Sequence, residues 1–82
     1  MAILNSEQVE LVIELCGYHY DPDDPKRVIR ITDGTRVKFP KGIYFPMLEP
    51  DETVESRILD YWLVDHVGLD AKVVAEAIAH VS

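Results

Sequence analysis

Apolar residues recur at three- and four-residue spacing over three stretches of the chain and alternate with polar ones over a fourth, a pattern that predicts helix, β-ribbon, helix and helix. In the first stretch Val9, Val12, Ile13 and Cys16 share one helical face, while Glu7, Glu10 and Glu14 gather on the other. Asn5 or Ser6 is placed to cap the start, Gln8 follows Asn5 by three as in a capping box, and Gly17 supplies the stop. A helix from about Ser6 to Cys16 is expected, followed by a loop from Tyr18 to Pro25, where two prolines and three aspartates favour turns.

From Arg27 to Phe39 the alternation runs around Thr32-Asp33-Gly34 and predicts a hairpin. A two-residue turn at Asp33-Gly34 would mix apolar and charged residues on both faces, whereas a three-residue loop with a left-handed glycine separates them. That register pairs Ile29 with Val37 and Ile31 with Thr35. It turns Ile29, Ile31, Val37 and Phe39 inward and Val28, Arg30, Arg36 and Lys38 outward. Arg30 then faces Arg36, an arrangement that disfavours the ribbon unless an anion lies between them. Pro40 and Pro46 bracket Ile43 to Phe45, leaving room for a short edge strand at most.

The second helix is expected from Asp51 or Thr53 to Val67, with acids in its first turn, Gly68 as its stop and Trp62 near the centre of the core. Asp70 then caps a last helix from Ala71 to about Val81. There Lys72, Glu76 and His80 line one narrow strip and nearly everything else is apolar, so the helix either threads the core or meets another chain. Val74, Ala75 and Ile78 are the residues assigned to self-association or a partner groove. The fold class is α+β: an N-terminal helix, a β-hairpin with room for a short third strand, and two C-terminal helices packed on the ribbon, in one small domain.

Composition changes this picture little. An apolar fraction of 48% with 28% charged residues, in 82 residues, is that of an ordinary globular chain. The single cysteine, Cys16, has no disulfide partner and sits where a small hydrophobe packs. Met1-Ala2-Ile3-Leu4-Asn5 lacks signal-peptide character and no apolar run is long enough to span a bilayer, so a cytoplasmic protein without membrane contact is expected.

Charge changes it more. Six of the eight basic residues fall between Lys26 and Lys41, with Asp33 the one acid among them, in a chain of net charge −7. A surface of two signs serves recognition and steering rather than chemistry. Arg30, Arg36 and Lys38 on the ribbon, and Glu7, Glu10 and Glu14 on the first helix, are therefore the candidate partner-binding residues. The acidic series extends into Asp21, Asp23 and Asp24. Each has a plainer reading: the cations pair with acids of the same molecule, and the glutamates form a solvated helix face.

Candidate chemistry is sparse. His19, His66 and His80 lack the spacing of a zinc site, and the aspartates around Pro22 lack the glycine and glutamate of a calcium loop. Asp60 and Asp65 read as solvated helix positions. Ser6, Ser56 and Ser82 have no glycine-bracketed elbow, and the glycines make no phosphate loop. No catalytic residue, metal or cofactor is assigned. The helical pair from Leu63 to Ala79 has helix-turn-helix character, but its second helix offers Lys72 and His80 against Asp70 and Glu76, poor equipment for reading DNA.

The functional expectation is a non-catalytic interaction module: an accessory or adaptor subunit, or a small acidic inhibitor, phage-borne in style, that occludes a partner's nucleic-acid-binding surface. It would bind another protein by charge complementarity, with a homodimer through the last helix as an additional mode and nucleic acid disfavoured by the net charge. The alternative is a helix-turn-helix-like DNA-binding regulator using the last two helices.

Overall fold

Local capping signals decide where the first and last helices of this chain begin. A computed structural model describes residues 3–24, 27–37 and 48–82. Strand β1 (Ile3–Asn5) leads directly into helix α1 (Ser6–Leu15). Asn5 is the N-cap: its side chain accepts from the Gln8 backbone N–H at 2.9 Å, and the Gln8 side chain accepts from the Asn5 N–H at 2.9 Å, closing the capping box. The chain then turns at Gly17 into β2 (Tyr18–Tyr20), β3 (Val28–Arg30) and β4 (Arg36–Val37), which form one antiparallel sheet with β3 in the middle. A second, two-stranded sheet joins β1 to β5 (Thr53–Glu55). Helix α2 (Ser56–Tyr61) passes into a π-helical segment over Trp62–Val67, and α3 (Ala71–Val81) follows, capped by the Asp70 carboxylate on the N–H groups of Lys72 and Val73. The fold is α+β, with elements in the expected order.

The core is shared by every layer. Leu4 of β1, Val9, Val12 and Ile13 of α1, Val28 of β3, Leu59 of α2, Leu63 of the π-segment, and Val74 and Ala77 of α3 are buried together. Helix α1 lies between α3 on one side and β2 on the other, and α2 closes against α3. The C-terminal helices thus reach the three-stranded sheet by way of α1 and this common interior.

Four expectations are corrected. Tyr18 to Tyr20 is a strand, not loop: it pairs along the free edge of β3 (Tyr18↔Arg30, His19↔Ile29, Tyr20↔Val28) before the prolines intervene. The hairpin exists but is shifted by one residue, because its loop is Ile31-Thr32-Asp33-Gly34. Val28 pairs with Val37 and Ile29 with Arg36. Asp33 fixes this loop by accepting the Thr35 N–H at 3.0 Å, and Gly34 takes the left-handed φ of 70° that the turn requires. A one-residue shift exchanges the faces. Val28 therefore goes inward with Val37, Tyr18 and Tyr20, Ile31 is exposed in the loop, and Arg30 does not face Arg36.

The second helix begins at Ser56 rather than Asp51 or Thr53. The β-branched Thr53 and Val54 extend and pair with Asn5 and Leu4, while Glu49 and Glu52 close a turn ahead of them. Trp62 is half-buried at the edge of the core, whose centre at this level is Leu59 and Leu63. The expected helix end at Val67 and stop at Gly68, φ 91°, are as observed. Lys38, Phe39 and the edge strand expected at Ile43 to Phe45 lie outside the described residues.

Candidate partner-binding surface

The ribbon arginines are neutralised within the molecule. The Nη1 of Arg30 lies 3.3 Å from Asp33 Oδ2 in its own turn. Arg36 reaches across to the β2–β3 connection, with Nε 3.2 Å from Asp21 Oδ2 and Nη2 2.7 Å from Asp23 Oδ2. Asp21 is only 2% exposed and also accepts the Asp23 N–H at 2.9 Å, so Arg36 compensates a buried carboxylate rather than waiting for a foreign one. Arg27 likewise meets Asp24 at 3.3 Å. Arg30 and Arg36 thus have partners within the molecule, while their side chains stay 48% and 61% exposed.

The glutamates behave differently. Glu7, Glu10 and Glu14 are all exposed on α1, and among the described residues no Lys, Arg or His comes within ion-pair distance of them or of Glu76 on α3. Glu10 is close enough to Tyr20 to act on it: burial first, and the Glu10 charge second, push the Tyr20 hydroxyl well above its ordinary value, so it stays protonated.

The residues assigned to self-association are redistributed. Val74 is fully buried and belongs to the core, Ile78 is half-buried, and only Ala75 is exposed. The reason is the angular position of the core stripe: Val74, Ala77, Ile78 and Val81 face α1 and α2, which turns Val73 outward at 42% exposure. On α1 the same effect leaves Leu11 and Leu15 exposed at 49% and 47%. Leu15, Val73, Glu76, Ala77 and His80 line an open groove of about 240 Å³ between α1 and α3. These leucines and Val73 were missed by the sequence reading. The signal was present, since Leu11 and Leu15 stand one turn apart and Glu7 precedes Leu11 by another, which places an apolar strip beside the acids.

The remaining candidates carry less. His19 Nδ1 lies 3.1 Å from the Tyr20 carbonyl oxygen. His66 stacks on Trp62 with ring centroids 4.9 Å apart and meets Tyr61 edge-on at 5.1 Å, a contact set by the wide π-helical turn. Asp60 is half-buried and Asp65 exposed on the same helical run. Among the described residues no three His, Cys, Asp or Glu side chains converge as a metal site would require. Burial raises the Cys16 thiol above its ordinary value, which keeps it protonated and suits packing rather than nucleophilic attack. No helix among the described residues is long and apolar enough to cross a membrane. Neither a protein-family model, nor a curated protein, nor a solved structure matches the chain.

Proposed function

We propose that the protein is a non-catalytic interaction module, an adaptor or small acidic inhibitor, that engages a basic surface of another protein through α1. The observation that carries this reading is the asymmetry of its ion pairing. Among the described residues the ribbon arginines are matched by neighbouring aspartates, while the three glutamates of α1 face solvent with apolar side chains beside them and meet no such partner. Repeated like charge along one helix face works against the helix in isolation, so such a face is more easily understood as presented to an opposite charge. Charge of this kind sets association rate and selectivity, with adjoining apolar area adding affinity. A cationic cleft that otherwise holds nucleic acid has the matching chemistry, which is how an inhibitor of this type would act. Its place of work would be the cytoplasm.

The test is affinity capture from nuclease-treated lysate by the wild-type chain and by a Glu7→Lys, Glu10→Lys, Glu14→Lys variant. A protein retained by the first and lost by the second is the expected result. Capture that vanishes with nuclease, or that the triple variant leaves unchanged, overturns the reading. The DNA-binding alternative gains no support from α3, where Lys72 is the lone exposed Lys or Arg and Glu76 stands one turn on.

A further inference from the structure

The groove between α1 and α3 has a floor and two rims of definite chemistry. Leu15, Val73 and Ala77 give it its apolar lining, with Leu11 continuing the apolar strip one turn back along α1. Gln8 reaches from α1 to the Val81 carbonyl at 3.1 Å and so fixes which flank of α1 faces α3. Moving around α1 away from that flank, helical geometry places Gln8 and Leu15 first, then Leu11, then Glu7 and Glu14. On α3 the order outward from the core is Val73 and Ala77, then His80 and Glu76. The apolar trough is thus bordered by Glu7 and Glu14 on one side and, on the other, by Glu76 with Lys72 one turn before it and His80 one turn after; among the described residues none of these three carboxylates is in an ion pair.

Two antiparallel or crossing helices commonly receive a third in the trough between them, and α1 and α3, of 10 and 11 residues, offer a track of about 15 Å, or roughly three helical turns. Resting on the reading of α1 as a protein-binding face, we infer that this groove seats a cationic amphipathic helix of the partner. It would set one or two aliphatic side chains between Leu15 and Val73 and its lysines or arginines against Glu7, Glu14 and Glu76. A second copy of this chain is the wrong occupant. It would bring the same acidic rims, on a molecule of net charge −7, against these. An anionic membrane or a nucleic acid is repelled for the same reason. The volume, about 240 Å³ and open, also falls short of the roughly 300–1,000 Å³ that encloses a small-molecule ligand.

The experiment titrates isotope-labelled full-length protein with a synthetic twelve-residue helical peptide made only of leucine, on one face, and lysine. Its controls are the same peptide with glutamate for lysine, and one with alanine for leucine. The leucine–lysine peptide is expected to shift the amide resonances of Leu11, Leu15, Val73 and His80, with an affinity that falls as salt rises. Neither control should reproduce this at equal concentration. Leu15→Ser with Val73→Ser, both at partly exposed positions outside the buried core, should weaken binding at least tenfold while the protein still unfolds cooperatively and only modestly earlier on heating, and Glu14→Lys with Glu76→Lys should remove most of the salt dependence. Shifts confined to the acidic loop around Asp23, equal binding by the alanine–lysine peptide, or a concentration-dependent dimer that protects Leu15 and Val73 would each overturn the groove as the seat. The broader reading is judged separately: a captured partner lost by the α1 charge reversals yet retained by Leu15→Ser, Val73→Ser refutes the groove and leaves the acidic face intact.

Discussion

Arg36 shows how a residue that looks like a binding group becomes a structural one. Its guanidinium spans two carboxylates, one buried and one exposed, and ties β4 to the connection between β2 and β3. Arg36→Ala is expected to cost about 1 kcal/mol in urea unfolding, the modest value appropriate to a largely exposed partner, and Arg36→Glu more, because Asp21 is left with a repelling neighbour. If neither change moves the midpoint, the pairing contributes nothing to stability. Asp33 gives a pH-dependent counterpart. The Thr35 N–H first, then the Thr35 hydroxyl and the Arg30 charge, hold its carboxyl below the usual carboxylate range. A lowered value in the folded state means its contribution is full at neutral pH and is lost as pH falls through that value, below 3.8. Asp33→Asn should therefore flatten the most acidic part of the stability curve, measured by denaturant unfolding across pH. These pairings were only half legible. The sequence places cations beside acids, but which acid Arg36 meets depends on a register that a single residue of loop length decides.

Among the elements, those fixed by neighbours in sequence were readable and those fixed by distant partners were not. Asn5 and Gln8 specify the start of α1, Asp70 that of α3, and Gly68 the end of the π-segment, each through contacts within a few residues. Asn5→Ala should cost about 1 kcal/mol, read from the shift in denaturation midpoint. Strands β1 and β5, each of three residues, carry no local mark, since their pairing is with each other. The helix expected to start at Asp51 or Thr53 gave way to that pairing. The change of helical pitch at Trp62 was equally invisible, because no local sequence motif marks a π-turn. Leu63→Ala, removing a fully buried side chain there, is expected to cost about 2–5 kcal/mol by calorimetry or denaturant titration, whereas Leu11→Ala on the exposed flank should stay within about 0.5 kcal/mol.

For the whole molecule, the division of charge matters more than its total. Among the described residues, the arginines of the ribbon meet aspartates of its own turn and of the β2–β3 connection, and what faces outward from α1 is negative. Screening should then help the protein: raising salt from low ionic strength to 0.5 M is expected to raise the melting temperature, as repulsion among the glutamates and the remaining acids weakens. A fall instead would show that the internal pairs outweigh the repulsion.

The ladder between β1 and β5 has a consequence for how the chain comes into being. Leu4, one of the most deeply enclosed side chains, is covered opposite Val54, so about 50 residues must be available before it can be sheltered. On a ribosome, α1 can coil as soon as it emerges, guided by its own cap, but the strand ahead of it has to wait for β5, about 50 residues later. A nascent chain therefore leaves Leu4 uncovered until β5 has emerged, and the apolar face of α1 uncovered for longer, until α3 has followed.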